Sequence, residues 1–176
     1  MSEELRNLIV ETQDAFRADP AGAQATFESV SSLGEGFRSE VALREHRLVV
    51  DEPESLGGTD TGPNPVELIL AALGTCQEIT YRAYAAALGI PLDHVSVTLE
   101  GDIDLRGFFA VDESIRPGYQ GLRGTVRVVS SADEATLATL QQAVNAHCPV
   151  LDIVSNPVPV ELTLEKTEAA SAEAAE

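Results

Sequence analysis

The stretch from Asn64 to Gly89 constrains the fold more than any other part of the chain. Asn64-Pro65 is a helix start: a side chain able to cap free backbone N–H groups, then a residue whose fixed φ suits the first helical position. The pattern runs on helically from Val66 to Gly89, with Pro91 just beyond it as a stop. Its first half, VELILAALGTC, carries one charge and is apolar on nearly every face. A helix that is apolar all round needs cover all round. One domain in a chain of 176 residues supplies too little of it, so a second subunit is expected.

The flanking sequence reads as an α+β domain. Leu5, Leu8, Ile9, Thr12 and Phe16 recur at helical steps over residues 3–18, and Asp19-Pro20 ends that run. From Ala25 to Val50 the pattern changes to strands. Ala25, Phe27 and Ser29 alternate, then Phe37, Ser39, Val41 and Leu43 do so after a turn at Leu33–Gly36, and Leu48–Val50 is a short apolar run. Glu54–Gly62 is a Gly- and Asp-rich loop. His94–Asp104 and Gly121–Val129 read as strands on either side of a loop, Ala132–Ala146 as a helix and Pro159–Leu164 as a last strand. The expected organisation is an N-terminal helical extension over 1–24, one domain over 25–165, and a disordered acidic tail over 166–176.

Charge removes several partners. The chain has 29 acidic and 11 basic residues, a net charge of −18, and its arginines are spread along its length. Such a surface repels nucleic acid and anionic lipid. No apolar run approaches the ~20 residues needed to cross a bilayer. The start, MSEELRNLIVETQDAF, lacks the basic patch and apolar stretch of a signal peptide. A soluble cytoplasmic protein, with no nucleic-acid or membrane partner, is expected.

Two residues could carry nucleophilic chemistry: Cys76, on the apolar helix, and Cys148, just before Pro149. A structural disulfide is disfavoured among reduced cytoplasmic thiols, and His147-Cys148 lacks the nearby ligands of a zinc site. Two readings stay open, a pair of inert buried thiols and a redox pair. Gly74 and Thr75 leave room beside Cys76 for a small molecule to approach. A sheltered thiolate can attack a peroxide oxygen, become a sulfenic acid, and condense with a second thiol. His46, His94 and His147 lack a triad partner at a recognisable spacing. Gly57-Gly58 lacks the lysine of a phosphate-binding loop. Phe108, Phe109 and Tyr119 could wall an apolar pocket or simply pack in a core.

The segment GGTDTGPNPVELILAALGTC and the later HCPVLDIVSNPVPVELTL together resemble the OsmC/Ohr family, the osmotically inducible and organic-hydroperoxide-resistance proteins. The resemblance runs from about Phe27 to Leu164. It implies an OsmC-like fold, with antiparallel sheets packed around long buried helices in an intertwined homodimer. It also implies a cysteine-based peroxidase of peroxiredoxin-like activity that reduces organic hydroperoxides, with Cys76 matching the peroxidatic and Cys148 the resolving cysteine. No bound cofactor is implied, and turnover would draw on an external dithiol or lipoyl-type reductant. The family's peroxidases also use an arginine and a glutamate. In the turn LGEGFRSE, Glu35 falls near the arginine position and Arg38 is the nearest substitute. Val66 stands where the glutamate follows Asn-Pro in the hydroperoxide-resistance type, and Glu67 comes one residue later. The alternative is an OsmC-like binding or structural protein whose cysteines are not peroxidatic.

Overall fold

The computed structural model describes residues 3–167. In chain order the elements are α1 (Glu3–Ala18), β1 (Val30–Leu33), β2 (Ser39–Leu43), β3 (His46–Val50), α2 (Pro65–Leu88), β4 (His94–Ile103), α3 (Leu105–Phe108), β5 (Tyr119–Val129), α4 (Glu134–His147) and α5 (Pro149–Ser155). The result is α+β with two antiparallel sheets, one of order β1-β2-β3 and one a β4-β5 ribbon.

Both ends of α2 are set by local chemistry. Asn64 Oδ1 accepts the Glu67 N–H at 2.9 Å, and Glu67 Oε2 accepts the Asn64 N–H at 2.8 Å, a reciprocal capping box. Gly89 ends the helix at φ +68°, a left-handed conformation that glycine adopts without a Cβ penalty. The second half of α2 then packs against α4. Tyr81, Ala85, Ile90, Leu92, Leu140 and Val144 form the core, with Val95, Val126 and Val128 of the ribbon closing over it. Each large apolar side chain fully buried there contributes roughly 1.5–3 kcal/mol.

The ribbon shows why its strands alternate. Val97 lies opposite Val126 and Leu99 opposite Gly124, while Glu100 faces Arg123 and Ser96 faces Arg127. One face is apolar and meets α2, and the other is polar. Gly101 is required by a close approach: a Cβ there would lie 2.5 Å from the Tyr119 ring. That space lets the Tyr119 hydroxyl donate to the Val66 carbonyl at 2.9 Å, tying the ribbon to the first turn of α2.

Three sequence expectations differ from the structure, and one element had none. Ala25–Ser29 alternates but is not a strand, and pairing begins only at Val30, opposite Ala42. The loop after β4 opens with the short helix α3, capped by Asp104. Pro149–Ser155, for which the sequence pattern gives no expectation, is helical over about two turns, too short for its periodicity to stand out. Pro159–Leu164 alternates but is not a strand, and it pairs with no strand among the described residues. Of the expected acidic tail, residues 168–176 lie outside the described residues.

Cover for α2 is also incomplete. Leu73, Gln77 and Thr80 are buried, but Ile69 is 43% and Ile79 70% exposed. Val160, Leu162 and Leu164 are 78%, 91% and 97% exposed. No helix among the described residues is long and apolar enough to cross a membrane.

Candidate functional site

Cys76 lies in the middle of α2, and Cys148 at the corner where α4 gives way to α5. Pro149 cannot continue α4, since it has no N–H to donate, but it suits the first position of a new helix. The chain therefore bends at Cys148 and lays both helices against α2. The two sulfurs, 72 residues apart in sequence, stand 3.4 Å apart. Both thiols are free; Cys148 is buried and Cys76 half-buried, so a molecule from outside reaches Cys76 first. A disulfide bond is about 2.05 Å long, so the pair needs only a small closure to join.

Burial pushes the Cys76 thiol above its ordinary value, and the neighbouring Cys148 adds to the rise. The Val150 N–H, in the first turn of α5, hydrogen-bonds the Cys76 sulfur and works the other way. No arginine is among the groups acting on this thiol.

The two charged residues expected beside it are elsewhere in the chain. Arg38 ion-pairs with Glu40 at 2.8 Å, just before and within β2. The substantial contacts of the three-stranded sheet are among its own strands. Glu67 is held in the capping box, nine residues and half a turn away from Cys76. Its charge is felt instead by Tyr119, whose pKa is raised by burial first and by Glu67 second. Phe108 and Phe109 stack edge to face with centroids 5.0 Å apart, but are 65% and 55% exposed.

Tyr119 does line a cavity of about 570 Å³. Its apolar wall comes from Ile69 and Leu73 of α2, Leu99 and Leu122 of the ribbon, and Leu151 and Val154 of α5. Leu73 is one turn before Cys76, and Leu151 is three residues after Cys148, so the cavity runs between the helices that hold the thiols.

Sequence reasoning missed Asp51. It is 1% exposed at the end of β3, where its carboxylate accepts the Glu52 N–H at 2.8 Å and the hydroxyls of Thr59 and Thr61 at 2.6 and 2.9 Å. The Thr59 and Thr61 N–H groups add bonds of 3.1 and 3.2 Å. These five bonds fold the Gly-rich loop back on itself just before α2. The signal was the T-D-T repeat eight residues downstream of an aspartate ending an apolar strand. The Thr59 hydroxyl, with the other donors, holds the Asp51 carboxyl far below the usual carboxylate range. Its folded pKa is depressed, so its contribution is complete above ~4 and is lost as pH falls further. Asp51→Asn is expected to lower Tm by roughly 5 °C at pH 7 and to flatten the acid limb of stability below about pH 4. Thermal melts from pH 3 to 7 check this, and parallel acid limbs in both proteins would refute it.

Comparison with known proteins bears on the family and the fold. The family model described as OsmC-like protein matches residues 58–163, from the Asp51-bound loop to the end of the extended segment. The chain belongs to the OsmC-like family. Among solved structures, an OsmC-like protein from Mycoplasma pneumoniae superposes with a TM-score of 0.66 at 15% identity, over 76% of this chain and 90% of that one. An organic hydroperoxide resistance protein from Legionella pneumophila gives 0.59 at 21% identity, over 75% and 90%. One from Elizabethkingia anophelis gives 0.58 at 17%, over 77% and 91%. At these identities the likeness establishes the fold alone. Among curated protein sequences, none matches the chain.

Proposed function

We propose that this OsmC-like protein is a thiol peroxidase that reduces organic hydroperoxides and works as a homodimer. The observation that carries the reading is the 3.4 Å approach of a half-buried to a fully buried thiol across two helices. The Cys76 thiolate attacks the outer peroxide oxygen of ROOH. The O–O bond breaks, Cys76 becomes a sulfenic acid, and the alkoxide leaves and takes up a proton as ROH. The Cys148 sulfur then attacks the Cys76 sulfur, expelling water and leaving a Cys76–Cys148 disulfide. An external dithiol or lipoyl-type reductant returns both thiols, so no bound cofactor is required. The organic hydroperoxide resistance proteins among the structural neighbours support the substrate class.

The homodimer rests on what one chain leaves uncovered. Ile69 and Ile79 of α2 and the alternating Val158, Val160, Leu162 and Leu164 are each exposed. An extended segment with one apolar edge is completed by a sheet edge of a second copy. Light scattering at micromolar concentration is expected to give the mass of two chains. Truncation after Pro157 is expected to remove the folded dimer. A folded monomer of the full chain would sink the idea.

A second reading, a binding or structural protein with inert cysteines, is favoured by the raised Cys76 pKa and by the pairing of Arg38 with Glu40. One experiment separates the two. Sub-stoichiometric cumene hydroperoxide should convert the free thiols to the intramolecular disulfide, seen by thiol titration and intact mass. Unchanged thiols support the binding protein.

A further inference from the structure

The two thiols meet where α4 ends, so whatever holds that end governs how well they meet. Cys148 caps α4 and precedes α5, and its N–H donates to the Val144 carbonyl at 2.9 Å. Beyond the corner, α5 has no buried residue, and its Ile153 is 55% exposed. The corner is therefore held from the α4 side. Leu140, Val144 and His147 are spaced four and three residues apart, which at ~100° per residue sets them in one stripe. Leu140 and Val144 are fully buried in the core, and His147 continues their line into the last turn. There its ring stacks on Tyr84 of α2, with centroids 5.0 Å apart and planes at 28°. The other close ring pair among the described residues, Phe108 and Phe109, joins neighbours in sequence, whereas this one ties two helices together. His147 Nδ1 lies 2.7 Å from the Ala143 carbonyl. A carbonyl only accepts, so Nδ1 carries the proton and donates it, which fixes the ring over Tyr84.

We propose that the Tyr84–His147 stack clamps the end of α4 to α2, which makes His147 a positioning residue for closure of the Cys76–Cys148 disulfide. Sulfurs that stand 3.4 Å apart must close to about 2.05 Å. A corner pinned one residue before Cys148 gives the second thiol a high effective concentration at the first. The inference rests on the peroxidase reading for its consequence in turnover. His147 then serves the second step, in which Cys148 attacks the oxidised Cys76, and leaves the attack on peroxide unchanged.

Redox equilibrium reads the clamp without peroxide. Oxidised glutathione takes two electrons from the pair and leaves as two reduced glutathiones carrying the two thiol protons, so the Cys76–Cys148 disulfide remains. The full-length protein is equilibrated in glutathione buffers of graded ratio, quenched in acid, alkylated and weighed. His147→Ala is expected to lower the effective concentration of the pair about fivefold. That raises its reduction potential by about 20 mV, at ~30 mV per tenfold for two electrons. His147→Phe keeps a ring over Tyr84 and should recover most of the loss. Asp133→Ala removes the cap at the other end of α4, where Asp133 Oδ1 accepts the Thr136 N–H at 2.7 Å, and should lower Tm without moving the potential. An unchanged potential in His147→Ala would overturn the proposal. So would equal shifts in His147→Ala and Asp133→Ala, a shift that His147→Phe does not reduce, or a wild type that forms no disulfide at any ratio. In an active protein, His147→Ala should form the Cys76 sulfenic acid at the wild-type rate and close it about fivefold more slowly, read as a larger dimedone-trapped fraction. Wild-type thiols left unchanged by cumene hydroperoxide, with the potential shift still present, would defeat the peroxidase reading and leave the clamp standing.

Discussion

Cys76→Ser is expected to abolish peroxide consumption, whereas Cys148→Ser should complete one turnover and stop. The difference follows from access. Cys76 is half-buried on α2, and Cys148 is buried at the α4–α5 corner. Only Cys76 can meet a peroxide arriving from outside, so serine there removes the nucleophile. Without Cys148 the first step is intact, but the Cys76 sulfenic acid has no thiol 3.4 Å away to condense with. It should persist long enough to be trapped by dimedone and weighed by mass spectrometry. Excess peroxide would carry it on to sulfinic acid, so Cys148→Ser should also be inactivated by substrate while the wild type is not. Equal residual turnover in the two variants would refute the division of roles.

How far the sequence discloses such a site depends on the range over which each signal acts. The boundaries of α2 are local, written in Asn64, Pro65 and Gly89, and the structure follows them to the residue. The polar and apolar faces of the β4-β5 ribbon are equally local, since period-two alternation needs only the strand itself. The meeting of the thiols is not local. Nothing in a separation of 72 residues says that Cys148 returns to Cys76, and only the resemblance suggested it. Asp51 went unread because its donors, Thr59 and Thr61, come after a loop that lacks periodicity. The segment from Pro159 to Leu164 marks the opposite limit. Its alternation is real, but a strand is a property of two segments, and among the described residues no segment pairs with this one.

The proposed second copy also bears on Arg38. Within one chain burial raises the Cys76 pKa above its ordinary value, and no arginine offsets it. A peroxidase needs the thiolate, so the proposed activity requires a cation that this chain does not bring to its own sulfur. We propose that Arg38 supplies it from the second copy, exchanging Glu40 for the sulfur's surroundings. Arg38→Ala should then move the pH profile of Cys76 alkylation to higher pH. A shift of about one unit slows the reaction roughly tenfold at pH 7. The two rates should converge at alkaline pH, where both thiols are ionised. Arg38→Lys should recover only part of the loss, because a point charge cannot make the forked contacts of a guanidinium. Mixed dimers decide which chain provides the charge. Arg38→Ala and Cys76→Ser homodimers are each expected to be impaired. Co-folding them pairs an intact Cys76 with an intact Arg38 in one site of each mixed dimer, so random assortment should restore roughly a quarter of wild-type turnover. No recovery in the mixture would place Arg38 and Cys76 in service of the same chain, against the geometry found here. Superimposable alkylation profiles for wild type and Arg38→Ala would remove Arg38 from the site, leaving a thiol without the means to ionise and favouring the binding protein over the peroxidase.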